Sequence, residues 1–280
     1  MTERNKVYWH DAFFEAIKLE LHQYQQFLDF TYQHPLSKEA LKMDVLVVKK
    51  KPGIKIDKNI GRIFRTHNVI EFKSEKDYLS VNDYHKVMGY AFVYLSSTSA
   101  SVNDITISFS VTKHPREVLK YLKDERNLRV NDIGNGIYYV EGEVFPVQIL
   151  ESKLLPPDEN LFLRNLRSNL TAEDAAKTLD AFREKATLEI RNAYIDRLLQ
   201  ANLLAFKEAT TNMSEFVKDF FMEAARENGW QSELEEVGSE QRAIDTAKRM
   251  LSNGYAVEEV SKMTALPLEK VRELNMTPVH

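Results

Sequence analysis

The seven residues His67–Lys73, "HNVIEFK", constrain the fold of this chain more than any other stretch. They combine β-branched and aromatic side chains with two opposite charges, and their apolar run is too short for a helix of ordinary length. A β-strand sends residues i and i+2 to the same face, so Glu71 and Lys73 project together while Ile70 and Phe72 point the other way. One face of this strand therefore meets a core. The other carries a carboxylate beside an ammonium, which is either a same-face ion pair or half of a site completed from elsewhere in the chain.

The flanking sequence sets the order of elements. From about Asp11 to Tyr32 the residues Phe13, Phe14, Ile17, Leu21, Tyr24 and Leu28 recur at helical intervals, which predicts an amphipathic helix ended by "HPLS". "MDVLVVK" predicts a strand opening at Asp44, with Pro52-Gly53 as the turn that closes it, and residues 54–66 leave open another strand and a loop. After "NVIEFK", the segment "SVNDYHKVMGYAFVYL" predicts a helix capped by Ser80 or Asn82, and "DITISFSV" a further strand. A helix, two or three strands, a helix and a strand make a mixed α/β unit with helices against a small sheet.

Beyond this unit the pattern predicts a helix near 115–126 and strands at "GIYYVEG" and "FPVQIL", the first following a "GNG" turn. "LLPPDEN" reads as a boundary, placing an α/β domain at 1–155 and a helical region at 156–238. Thr171 and Asp174 form the ends of a capping box that uses Asp where Glu is usual. Residues 239–280 form a small tri-helical tail, with one helix stopped at Gly254 and another started near Pro267. The tail resembles a helix-turn-helix, but the six basic and five acidic side chains of the last forty residues suit a packing or partner-binding unit as well as a DNA reader.

At 280 residues, 43% of them hydrophobic, the chain can bury a substantial core. It has no cysteine, which excludes disulfides, thiolate metal sites and cysteine nucleophiles. The charged N-terminus lacks the apolar stretch of a signal peptide, and no later run reaches membrane-spanning length, so the expectation is a cytoplasmic protein. The net charge of −4 conceals a segregation: Lys42–Lys76 holds ten basic and four acidic residues, whereas Asn212–Glu240 holds two and eight. A basic stretch around a carboxylate site suits a polyanion, and solvated loop lysines would look the same. Seven scattered histidines lack paired helical spacing, His67 reads as a strand-edge or substrate-facing residue, and neither a phosphate-binding glycine loop nor a serine nucleophile elbow is present.

Hydrolysis of a phosphodiester with a bound Mg²⁺ needs hard oxygen ligands, an activated water and stabilisation of developing charge. Asp44 and Glu71, on separate strands, can converge if those strands pair, with the Phe72 backbone carbonyl as a further ligand. Lys73 can orient the water or stabilise the transition state.

Asp44, then "IEFK", with a helix before and the "DYHKVMGY" helix after, resembles the PD-(D/E)XK nuclease superfamily over roughly residues 10–112. The helical region and the ending "AKRMLSNGYAVEEVSKMTALPLEKVREL" resemble, more narrowly, the transposase-associated, recombination-promoting branch. The resemblance implies a restriction-endonuclease-like αβββαβ core followed by an all-helical C-terminal region. It also implies DNA as substrate and Mg²⁺ as cofactor, with Mn²⁺ able to substitute. Asp44, Glu71 and the Phe72 carbonyl would hold the metal and Lys73 would act on the water. A glutamate of the first helix would join them, and Glu20, at the edge of the apolar stripe, fits better than Glu15, although it also fits a boundary residue with an exposed carboxylate. Lys86 and Tyr90, four apart on the next helix, would contact the phosphate backbone, unless Lys86 is an ordinary surface lysine.

Two features depart from the family pattern. Met43 stands where proline is frequent, and the 26 residues between Asp44 and Glu71 are long for a simple hairpin, so an extra strand or a basic, DNA-contacting loop lies between them. The alternative function is a catalytically inactive nuclease-like scaffold that binds DNA or a protein partner through that loop and the tail. Oligomeric state, including a homodimer, stays open.

Overall fold

The computed structural model describes residues 9–32, 46–185, 193–211, 215–227 and 229–276. Contacts divide the chain into two compact units, the first ending at Asn202 and the second starting at Leu203.

The first unit is built on a seven-stranded mixed sheet. In chain order its strands are β1 (Leu28–Tyr32), β2 (Leu46–Lys50), β3 (His67–Lys73), β4 (Ile105–Val111), β5 (Arg129–Asp132), β6 (Ile137–Glu141) and β7 (Val147–Glu151). Their order across the sheet is β1-β2-β3-β4-β7-β6-β5. β1, β2 and β3 run antiparallel to their neighbours, β3, β4 and β7 run parallel, and β6 and β5 return antiparallel. β4 is buried along its whole length, as befits a central parallel strand covered on both faces.

Helix α1 (Trp9–Glu20) lies against one face and α2 (Val81–Ser97) against the other. On the α1 face, Phe13 stacks on Phe72 with ring centroids 4.6 Å apart. On the α2 face, Val69, Ile107, Phe109 and Ile149 pack with Tyr84, Val87, Ala91 and Tyr94. Ser80 caps α2 with a full capping box, its side chain accepting from the Asp83 N–H while the Asp83 carboxylate accepts from the Ser80 N–H. α3 (Arg116–Lys120) continues into a π turn, Tyr121–Glu125.

The expected helix from Asp11 to Tyr32 is in fact three elements: α1, a 3₁₀ stretch at His22–Phe27, and edge strand β1. "LDFTY" keeps the apolar periodicity, but its aromatic and Thr side chains suit the edge strand that β2 pairs with. Residues 54–66 form no strand; they carry a 3₁₀ turn at Asn59–Gly61. That turn is fastened to the α1 face: Gln148 Nε2 donates to the Ile60 carbonyl at 2.8 Å, and the buried Asn59 and Asn160 exchange amide hydrogen bonds at 2.7 and 3.0 Å.

Helices α4 (Pro157–Arg164), α5 (Ala172–Lys185) and α6 (Ala193–Ala201) complete the first unit, with α4 and α6 packed on α1. The boundary expected near residue 155 thus falls inside a compact unit, because these helices cover α1. The second unit contains α7 (Leu203–Thr211), α8 (Glu215–Glu227), α9 (Gln231–Ser252), α10 (Val257–Thr264) and α11 (Leu268–Met276). A division at 238 would cut α9. The last three helices share a core of Ala247, Val260, Leu266 and Val271, and Gly254, with φ of 84°, stands just past the end of α9 as the sequence suggested. No described helix is long and apolar enough to cross a membrane.

Candidate functional site

Register places Val69, Glu71 and Lys73 on the α2 face of β3 and turns Ile70 and Phe72 toward α1. Where β3 ends, the apolar floor gives way to charge. Lys73 Nζ lies 3.3 Å from Glu71 Oε1 and 2.9 Å from Asp83 Oδ1. The second Asp83 oxygen is held by Ser80, through the hydroxyl at 2.6 Å and the N–H at 3.1 Å. Formation of the cap on α2 therefore also aims Asp83 at Lys73.

The three groups respond differently to this setting. Burial pushes the Glu71 carboxyl up to about 7, against the smaller opposing pull of Lys73 and Lys86, while Asp83 adds to the rise. Burial would lower Lys73, but its hydrogen bonds and charge contacts with Asp83 and Glu71 outweigh that and raise it. Asp83 is depressed because its bonds from Ser80 and Lys73 overcome its burial. One ammonium is shared between two carboxylates, and Glu71 is the one left short of positive charge.

Lys86 stands one turn beyond Asp83 on α2, exposed, with Nζ 5.4 Å from the centroid of the Tyr90 ring. Its charge reaches Glu71. Of the residues anticipated from sequence, Glu71, Lys73 and Lys86 thus belong to one cluster, Tyr90 joins it through Lys86, and Phe72 sits between Glu71 and Lys73 in β3. Asp44 lies outside the described residues. β2 runs antiparallel to β3 with Leu46 opposite Ile70, so the end of β2 that leads back along the chain toward Asp44 is the end beside Glu71.

Glu20 is placed differently. Its side chain is buried rather than exposed: Oε2 is 2.8 Å from Lys58 Nζ and Oε1 accepts the Leu163 N–H at 3.0 Å. Lys58 also donates to the Glu159 carbonyl. These partners and those of Glu71 have no residue in common. The basic connector between β2 and β3 starts from Lys50 and enters at His67, the end of β3 away from Lys73. Its cations largely bind main chain, Lys50 at Ile54 O, Lys51 at Gln26 O and Arg65 at Asn103 O. His67 itself shares a hydrogen bond with the Tyr94 hydroxyl at 2.8 Å, and burial lowers its pKa.

Asp83 is the residue that reading the sequence left without a role. Its signal was local: Ser80-x-x-Asp83 is a capping box, and a capping carboxylate at the helix start faces the end of the strand that precedes it. Among the described residues no group of three or more His, Asp or Glu is placed to hold a metal ion. The donor chemistry nevertheless suits one: a carboxylate whose pKa burial has raised is a hard oxygen that a divalent cation would satisfy. Compared with known proteins, the chain matches no protein-family model, no curated protein and no solved structure.

Proposed function

We propose that the chain is a Mg²⁺-dependent DNA endonuclease of the PD-(D/E)XK type, with a restriction-endonuclease-like core and a transposase-associated, recombination-linked helical C-terminal region. The observation that carries this reading is the pairing of Glu71 and Lys73 at the end of β3, with Glu71 held near pH 7 by burial and Lys73 held charged by Asp83. The element order supports it too: a helix, three antiparallel strands, a helix, and a fourth strand parallel to the third.

Glu71, the Phe72 backbone carbonyl and Asp44 would hold the metal, which supplies a polarised water and neutralises the phosphate. Glu20 has no part in it, since both its oxygens are engaged by Lys58 and Leu163. Lys73 has three ammonium hydrogens and two carboxylate partners, so one donor remains to orient the attacking water or to bond the oxygen on which charge develops. Asp83 acts as a positioning residue that keeps Lys73 protonated and fixed. Lys86, exposed on the same side, meets the phosphate backbone.

A second reading, a catalytically inactive scaffold that binds DNA or a protein, is favoured by the Lys73–Asp83 pair, which already gives the ammonium a strong partner without substrate. Nicking of supercoiled plasmid in Mg²⁺, Mn²⁺ and EDTA separates the two. The nuclease reading expects cleavage with either metal and none in EDTA; no cleavage under any condition supports the scaffold, and cleavage that persists undiminished in EDTA contradicts the metal-dependent reading.

A further inference from the structure

A second polar group gathers on the α2 face, at the C-terminal ends of β4 and β7. Lys73 is opposite Val111 and Val111 is opposite Glu151, so Glu151 stands two strands from Lys73, about 10 Å at ordinary strand spacing. The Glu151 carboxylate is buried and accepts from His114 Nδ1 at 2.8 Å and from the Tyr138 hydroxyl at 3.4 Å. A carboxylate only accepts, so Nδ1 is the donor and the imidazole is held by that bond. The Glu151 main chain is fixed as well: its N–H donates to Gly136 O at 2.7 Å, and a Cβ on Gly136, where φ is 74°, would come within 2.6 Å of Glu151 O.

Beside His114 and Tyr138 opens a cleft of about 450 Å³, with Glu151 behind them. Its walls carry three kinds of chemistry. Arg116 and Lys120, one turn apart on α3, and Lys123 in the π turn bring three permanent positive charges, and among the described residues none of them forms an ion pair. The His114 and Tyr138 rings, with centroids 6.2 Å apart, offer flat aromatic surface. Asp124 and Asp132 add acceptors.

A bare anion would need only the cations, and two carboxylates would oppose it. An unstacked nucleotide uses all three: a phosphate for the cations, a π face for the rings, and amino hydrogens for the carboxylates. The cleft volume lies within the about 300–1,000 Å³ that small-ligand sites span. In a duplex the base faces are stacked and the pairing edges are occupied, so only an unpaired nucleotide can present them. We propose that this cleft seats one nucleotide of a single-stranded nucleic acid, its phosphate on Arg116, Lys120 and Lys123 and its base on Tyr138 and His114. The proposal rests on the nuclease reading only in leading that strand past Lys73; the binding itself requires neither metal nor cleavage.

Fluorescence anisotropy in EDTA tests it, using the full chain and a short labelled DNA strand as the single strand, as a duplex with its complement, and as an abasic version. The single strand is expected to bind about tenfold tighter than either control, and both Tyr138→Leu and the double variant Arg116→Ala/Lys120→Ala to lose about tenfold on the single strand while changing duplex binding little. Should Tyr138→Leu fail to fold, His114→Ala, at a half-exposed side chain, takes its place in the stacking arm. Equal affinity for strand and duplex, equal losses on both, or no binding overturns the proposal. Nicking in Mg²⁺ is read separately, so a chain that binds single strands but never cuts sinks the nuclease reading and leaves this one standing.

Discussion

Two buried lysine–carboxylate pairs serve the same sheet and behave in opposite ways. Glu20 and Lys58, where α1 ends, are closed: the Glu20 side chain is 1% exposed, and a main-chain N–H and a main-chain carbonyl complete the coordination of the pair. Glu71 and Lys73, where β3 ends, are open at 10% and 17%, and Lys73 divides itself between Glu71 and Asp83. A buried pair whose charges are matched one to one and tied to main chain belongs to the structure. One left short of charge compensation can take a ligand, and the fold bears a cost for keeping it so.

The largest expected difference comes from removing the lysines. Lys58→Ala strands a buried carboxylate and should cost about 3–5 kcal/mol in denaturant unfolding. Lys73→Ala should cost less, about 1–2 kcal/mol, because Glu71 can shed its charge by taking a proton. Equal losses would erase the distinction between the two pairs.

A smaller effect follows from Glu71 itself. Its folded pKa of about 7 lies above the ordinary 4.5, so the folded state binds the extra proton and metal-free stability falls as pH rises through that window. Glu71→Gln removes this dependence. In EDTA the variant should gain roughly 3 kcal/mol on wild type between pH values below and above the window, measured by urea unfolding. A constant difference across pH would mean that Glu71 is already ionised and compensated.

Ser80→Ala gives the smallest change, about 1 kcal/mol from the lost cap. It also frees one side of Asp83, so nicking should fall with little loss of helix. Unchanged nicking would confine Asp83 to capping.

How much of this was legible depended on the range of the forces involved. β3 and α2 could be read because strand alternation and a helix cap at Ser80 are local signals, while the second half of that cap, the Asp83 carboxylate, was passed over. β5 could not, since "RVND" is polar and largely exposed and becomes a strand only by pairing with β6. Glu20 was read at the edge of the α1 stripe, but it is buried, and its partners come from Lys58 and from Leu163, 143 residues away, which no periodicity in α1 foretells. The basic connector misled for the same reason. Its charge is real, but the antiparallel pairing of β2 and β3 carries it to the end of β3 away from Glu71.

The most direct test of the central claim is plasmid nicking in Mg²⁺ by wild type and Lys73→Ala at matched folded fraction, checked by circular dichroism. An open, working site predicts metal-dependent nicking that falls at least about a hundredfold in the variant while the fold persists. Nicking by the folded variant at the wild-type rate would contradict it.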